Sequence, residues 1–217
     1  MARLRLAVVV SGSGTNLQAL IDACAEPGFP AEIVLVVSNR PGAPALGRAA
    51  RAGISTDVVD HMRFADRHAF DAALEARLHA AGAELICLAG FTRLLGEDLV
   101  ARWRDRLINI HPSLLPAFPG RRVHERVLEA GVRITGCTVH FVRFQMDSGP
   151  IIVQAAVPVR PDDTVSSIGE RVLAAEHRCY PLAVRLIAEG RVRVVDDAVA
   201  IDGARVPDAA LLNPCDR

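Results

Sequence analysis

The chain contains no lysine: its 25 basic residues are all arginine, they are matched by 25 acidic ones, and the formal net charge is zero. Without lysine, a Schiff-base mechanism and the phosphate-gripping lysine of a P-loop are both excluded. A balanced charge gives no global field to gather nucleic acid or an anionic membrane surface, so any anionic ligand must be held locally. Paired cysteines are lacking too. Cys24, Cys87, Cys137, Cys179 and Cys215 are odd in number and widely spaced, which supports neither a disulfide framework nor a zinc site and fits a reducing compartment. No long hydrophobic run occurs at the start: the first apolar stretch ends at Ser11, too short for a signal peptide or a membrane span. A cytoplasmic protein with no membrane or nucleic-acid partner is expected.

What is present is ample material for a core. With 217 residues and 51% hydrophobic content, a single domain over residues 1–217 is expected, and no repeat or interdomain linker divides it. Residues 6–10 form a valine-rich run bounded by Ser11-Gly12-Ser13-Gly14 and read as a strand buried on both faces. From Asn16 the apolar positions Leu17, Leu20, Ile21 and Cys24 recur at helical spacing until Pro27-Gly28. The pattern repeats as strand 33–37, helix 45–52, strand 54–59, helix 66–81 and strand 85–88. Such alternation predicts an open, mostly parallel sheet with helices on both faces, because parallel neighbours need crossover connections. Residues 107–110 supply the next strand and 122–129 a short helix. Residues 135–144 and 151–159 read as two C-terminal antiparallel β segments joined by Asp147-Ser148-Gly149-Pro150. A long final helix spans 164–188, with Pro181 predicting a kink or break. Residues 192–195 and 199–201 complete a small hairpin around Asp196-Asp197.

Two polar side chains stand where an apolar strand ends. Asn109 and His111 are two apart and so point to one side of an extended chain. Pro112 holds His111 extended, and Pro116, Pro119 and Gly120 then carry the chain away as a stiff loop. Asp147, in a glycine-containing turn between β segments, could fold back to the imidazole and favour its charged form. Asn109 could donate to a carbonyl oxygen as that oxygen gains charge. The trio has no Ser or Cys nucleophile, so it suits direct attack by a substrate amine on an activated carbonyl. A metal site from His111, His124, His140 and Asp147 is the competing reading, and those separations match none of the usual short ligand spacings.

Ser11-Gly12-Ser13-Gly14-Thr15-Asn16 lies between the first strand and the first helix, where free N–H groups favour a phosphate. It lacks the third glycine of a dinucleotide fingerprint, and the second strand ends Ser38-Asn39-Arg40 without a carboxylate. An ordinary tight turn, with Thr15 or Asn16 capping the helix, explains the stretch equally well. The segment after the fourth strand, Ala89-Gly90-Phe91-Thr92-Arg93-Leu94-Leu95, could line a pocket. Glu176-His177, taken alone, reads as an exposed helix face with an interhelical hydrogen bond.

Taken together, these motifs resemble the phosphoribosylglycinamide formyltransferases (glycinamide ribonucleotide transformylases) of the folate-dependent formyltransferase family. The likeness runs from the Ser-Gly-Ser-Gly-Thr-Asn loop through Asn109-Ile110-His111-Pro112-Ser113-Leu114-Leu115-Pro116 and Asp147-Ser148-Gly149-Pro150-Ile151-Ile152 to Glu176-His177. It implies a Rossmann-like fold and formyl transfer from 10-formyltetrahydrofolate, as co-substrate, to the amine of glycinamide ribonucleotide in purine biosynthesis. It implies no metal, small-molecule substrates only, and a monomer or homodimer. By the resemblance Asn109 binds the formyl oxygen, His111 is the acid or cation at the tetrahedral intermediate, and Asp147 keeps His111 charged. Gly14, Thr15 and Asn16 match the segment that binds the ribonucleotide phosphate, and Glu176 a side-chain ligand of the ribonucleotide. Arg67, Thr92, Arg93, Leu94 and Leu95, with Asn109 and the run Arg143, Phe144, Gln145, Met146 and Asp147, match folate-pocket segments.

The chain departs from the family pattern in three places. Leu173 stands where a polar residue can contact the nucleotide. Arg143-Phe144-Gln145-Met146 replaces a commonly acidic stretch, and Arg121-Arg122 adds positive charge that would favour a polyglutamylated folate tail. Methionyl-tRNA formyltransferases share the Asn/His/Asp logic but call for a further C-terminal domain. Formyltetrahydrofolate deformylases share the glycine-rich opening but normally carry an extra N-terminal domain. A catalytically silent folate- or nucleotide-binding module is the non-enzymatic alternative.

Overall fold

The valine-rich runs become the buried centre of one sheet. The computed structural model describes residues 2–205 and 207–214, so Cys215 lies outside the described residues, among which Cys24, Cys87, Cys137 and Cys179 are free. Strands β1 (Leu4–Val10), β2 (Ala31–Ser38), β3 (Thr56–Val58), β4 (Leu85–Leu88), β5 (Leu107–His111), β6 (Ile134–Phe141) and β7 (Ile151–Pro158) form a sheet of order β3-β2-β1-β4-β5-β6-β7. Pairing is parallel from β3 to β5 and antiparallel from β5 to β7. Helices α1 (Thr15–Ala25), α2 (Pro44–Arg51), α5 (Val123–Glu129) and α6 (Val165–Ala188) bury apolar side chains on one face. Helices α3 (Arg67–Ala80) and α4 (Glu97–Arg102) cover the other. The residues of β1 that point alternately into these two cores, Leu6, Val8 and Val10 against Ala7 and Val9, are all essentially inaccessible. That explains why this strand is apolar throughout rather than alternating.

Local signals set the helix starts. Asp66 caps α3 by accepting the Ala69 N–H at 2.8 Å, a contact worth about 1 kcal/mol. Thr164 and Ser167 form a reciprocal capping box on α6. A separate hairpin, β8 (Val192–Val195) and β9 (Ala198–Ile201), turns through Asp196 and Asp197, both at positive φ as a two-residue hairpin turn requires.

The sequence expectations shift in four places. The third strand is only Thr56–Val58, and β6 ends at Phe141 rather than at residue 144, because its partner β5 begins at Leu107, which already takes the Val142 N–H at 2.8 Å. Helix α4 was not anticipated, since six residues are too few to show a helical period. Pro181 does not break α6. Buried Cys179, Tyr180, Ala183 and Val184 hold both flanks in the core, and the Tyr180 hydroxyl donates to the Leu88 carbonyl at 2.8 Å. No helix among the described residues is long and apolar enough to cross a membrane.

The strand order places the site. From β1 the chain winds outward to β2 and β3, then returns to build β4 and β5 on the other side. Loops leaving the carboxyl ends of β1 and β4 therefore diverge and open a crevice at this switch point. The Thr92 N–H, donating to Ser11 Oγ at 3.0 Å, ties the two loops together across it.

Candidate active site

Antiparallel pairing of β5 with β6 sets Asn109 opposite His140 and His111 opposite Thr138. Beyond β5 the proline loop curls back, so that His111 Nε2 lies 2.9 Å from the Phe118 carbonyl oxygen. On the other side of the ring, Nδ1 lies 3.5 Å from Asp147 Oδ2, an ion-pair separation longer than a good hydrogen bond. Both ring nitrogens thus face oxygen acceptors. The ring is 5% exposed, so the Asp147 charge acts through little water.

Asp147 is held independently of His111. Its Oδ2 accepts the Gly120 N–H at 2.7 Å, and its backbone has φ +52°, a left-handed conformation that Asp tolerates better than most residues. Two residues on, a Cβ on Gly149 would fall 1.7 Å from the Phe141 carbonyl oxygen, so only glycine lets the loop return this close to the end of β6. The turn chemistry legible in the sequence thus serves to aim a carboxylate.

His140, which the sequence offered only as a possible metal ligand, faces Asn109 from the neighbouring strand and contacts its side chain. Burial pushes its pKa down, and its Nδ1 donates to the Phe141 carbonyl at 2.9 Å. The neutral ring therefore presents a bare Nε2, which accepts from Asn109 Nδ2 at 3.4 Å and lies 3.9 Å from Asp147 Oδ1. Through that contact His140 orients the Asn109 amide and leaves its second N–H free. Cross-strand pairing with Asn109 was the signal, and it becomes visible only once the β5–β6 register is known.

These groups lie in a cleft of about 1230 Å³, larger than a typical single-ligand pocket and with room for two ligands side by side. Arg67, Thr92, Arg93, Leu94, Leu95, Asn109, His111, Arg143, Phe144, Met146 and Asp147 all line it; Gln145 is exposed and outside the lining. Arg40, Arg121 and Arg122 join Arg67, Arg93 and Arg143 there, against only Glu125 and Asp147. A neutral chain has gathered local positive charge. Among the described residues no serine or cysteine lines the cleft, and no three His, Cys, Asp or Glu side chains converge as a metal site. The His111, His124, His140 and Asp147 metal reading therefore has no geometric support.

Gly14, Thr15, Asn16 and Glu176 sit outside this lining, at the start of α1 and on α6. Gly14 has φ +73°, and a Cβ there would meet Ala45 Cβ at 2.6 Å, so α2 packs directly on the loop. Gly14 is itself the cap residue of α1 and no side chain caps the helix, which removes Thr15 or Asn16 as a cap. Asn16 instead donates from Nδ2 to Glu176 Oε2 at 2.7 Å across α1 and α6. Glu176 is buried, not on an exposed face as its helix position alone suggested, though the interhelical bond is real.

Burial raises the Glu176 pKa above its ordinary value of 4.5, opposed by the Asn16 hydrogen bond. The folded state then holds this proton more tightly than the unfolded state, so stability is lost as pH rises through 4.5 toward the raised folded value. Glu176→Gln, which keeps the acceptor for Asn16, is expected to raise Tm at about pH 8 and to lose that advantage near about pH 4. Thermal melts at the two pH values check it; an equal shift at both would reject a titrating Glu176.

Residues 4–184, most of the chain, match the family model described as formyl transferase. The chain belongs to the formyl transferase family. It is 40% identical to the phosphoribosylglycinamide formyltransferase of Escherichia coli (strain K12), over 94% of this chain and 96% of that one. It is 53% identical to the trifunctional purine biosynthetic protein adenosine-3 of Gallus gallus over 88% of this chain, but spans only 19% of that protein's length. Among solved structures, glycinamide ribonucleotide transformylase 1 of Symbiobacterium toebii superposes with a TM-score of 0.90 at 50% identity, over 92% of this chain and 94% of that one. The formyl transferase motifs read from the sequence therefore sit on the fold they implied.

Proposed function

We propose that this formyl transferase moves the formyl group of 10-formyltetrahydrofolate to the primary amine of glycinamide ribonucleotide, in cytoplasmic purine synthesis, with residues 1–217 acting as one domain. The observation that carries the reading is His111, set between the Phe118 carbonyl and Asp147 and beside the Asn109 amide, in a cleft lined by no serine or cysteine among the described residues. The bound folate supplies an activated formyl carbonyl. Asn109 donates its free amide hydrogen to that oxygen as the amine attacks and the oxygen becomes anionic. His111, as a cation balanced by Asp147, stabilises the same charge, and by exchanging its Phe118 contact it can deliver a proton to the leaving nitrogen as the bond from the formyl carbon to that nitrogen breaks, the proton lost by the attacking amine restoring the cation. His140 keeps the Asn109 amide aimed.

Binding divides along the two clusters. Gly14, Thr15 and Asn16 offer the ribonucleotide phosphate the free N–H groups that open α1, and Glu176 lies at the same corner. Arg67, Arg93, Thr92, Leu94, Leu95, Phe144 and Met146 surround the folate, while Gln145 can serve only through its backbone. The test follows release of tetrahydrofolate from 10-formyltetrahydrofolate alone, with glycinamide ribonucleotide, and with charged initiator tRNA. Release is expected only with the ribonucleotide. Turnover without an acceptor would make the chain a deformylase, and turnover only with tRNA would replace the substrate.

Arg121 and Arg122 suit the anionic end of the folate. Arg121 donates to the Thr92 carbonyl at 3.2 Å and Arg122 pairs with Glu125, both exposed at the cleft rim. A polyglutamylated donor is expected to have a KM lower by up to about fivefold, the scale of an exposed ion pair, and Arg121→Ala/Arg122→Ala should erase the difference. Equal KM for mono- and polyglutamate forms in the wild type would reject this preference.

A further inference from the structure

The loop that carries Asp147 has little to hold it from within: residues 143–148 belong to no helix or strand, and 144–146 are exposed. Its base is held by Arg143. The aliphatic stem of Arg143 packs beside Gly149, where an added Cβ would meet its Cγ at 3.2 Å. The guanidinium reaches Asp105 Oδ1 at 2.7 Å, in the turn before β5, and Asp197 Oδ1 at 2.9 Å from Nε, at the tip of the β8–β9 hairpin. Arg104 donates to the same Asp197 oxygen at 3.1 Å. Asp105 and Asp197 both have positive φ, so tight turns aim both carboxylates at one arginine. Only 11% of the Arg143 side chain is exposed.

This arrangement changes what Arg143 can do. It lines the cleft, yet its guanidinium is engaged by two carboxylates and is not free for a folate carboxylate, which leaves its backbone for any folate contact. It also gives the C-terminal hairpin, which forms no part of the main sheet, a connection to the catalytic loop. The span is short: Arg143 at one foot of the loop and Gly149 at the other, with Asp147 between them and 3.5 Å from His111.

We propose that Arg143, clamped by Asp105 and Asp197, is a positioning residue that fixes the loop base and with it the approach of Asp147 to His111. The terminal hairpin is thereby part of the active-site support. This rests on the reading of Asp147 as the charge partner of His111 in formyl transfer. A misplacement of about 1 Å in a catalytic group can cost about 10²-fold in rate, so a partial loosening is expected to cost less. Removing the charge of the half-exposed Asp197 costs little global stability, so for that variant the effect should appear in turnover and not in melting.

The experiment compares Arg143→Ala, Arg143→Lys, Asp197→Asn and the double variant Arg143→Ala/Asp197→Asn with the full-length wild type. Asn is chosen because it tolerates the positive φ of residue 197. Arg143→Ala should lower kcat roughly 10-fold with KM for the formyl donor within about twofold, and Asp197→Asn, which keeps the packed arginine stem, should leave Tm unchanged. Asp197→Asn should lower kcat about threefold, and the double variant should be no slower than Arg143→Ala, because both substitutions open one clamp. Arg143→Lys should recover part of the loss, since one ammonium cannot match the planar fork. A wild-type kcat in Asp197→Asn, fully additive losses, or a loss confined to donor KM would overturn the clamp. Asp147→Asn is the control: if it too is fully active, the catalytic reading fails; if it is slow while Asp197→Asn is not, only the clamp fails.

Discussion

Asp147→Asn is expected to lower kcat by about 10²-fold or more while leaving both KM values nearly unchanged. Asparagine retains the shape of aspartate, can accept the Gly120 N–H that Asp147 Oδ2 accepts at 2.7 Å, and tolerates the φ of +52°. The variant should therefore fold, and what it removes is one negative charge 3.5 Å from His111 Nδ1. At that separation two unit charges interact by about 1 kcal/mol in a water-like medium and about 5 kcal/mol at an effective dielectric of about 20. A 10²-fold loss corresponds to about 2.7 kcal/mol, between those limits, as suits a ring that is buried beside an open cleft. The substrates gain nothing from this charge until an oxyanion forms, which is why kcat should carry the loss. Steady-state kinetics with both substrates varied decide it, and near-wild-type turnover would remove Asp147 from the mechanism.

Asn109→Ala is expected to cost about 10² to 10³ in kcat, the scale of losing one oxyanion donor. One Asn109 N–H is directed to His140 Nε2 at 3.4 Å, and burial keeps that imidazole neutral and accepting. The amide can therefore be aimed before substrate arrives, and no reorganisation is needed as charge develops. Alanine removes the donor and leaves His140 Nε2 unpaired, without altering the β5 backbone. If Asn109 served only to hold the ground-state formyl group, the variant would instead show a raised donor KM at unchanged kcat. Initial rates over a range of donor concentrations separate the two, and the second pattern would reject the oxyanion role.

The two sites differ in how far they could be read in advance. Asn109 and His111 were legible because strand period, a following proline and an apolar neighbourhood act over a few residues. Asp147 was legible as a turn residue, but its direction depends on Gly149 crossing the Phe141 carbonyl and on the Gly120 N–H from a distant loop. The contacts of His140 and Arg143 could not be read for the same reason. Their partners, Asn109 across a strand pair and Asp105 with Asp197 from separate turns, are set by packing and not by neighbours in sequence. Glu176 was misread as exposed because helical position does not say which helix will cover it. Asn16, 160 residues earlier, does so.

By itself the sequence determined the alternation of strands and helices, the mostly parallel core, the Asn109 and His111 pair at the strand exit, and the family. Each follows from hydrophobic period, glycine and proline placement, or a contiguous motif, all interactions of short range along the chain. Only the tertiary structure decided that Glu176 is buried, that His140 meets Asn109, and that Arg143 is tied to a hairpin 54 residues away. Those outcomes depend on side chains meeting across the sheet and between turns, where burial and hydrogen-bond geometry, not local preference, set the energy.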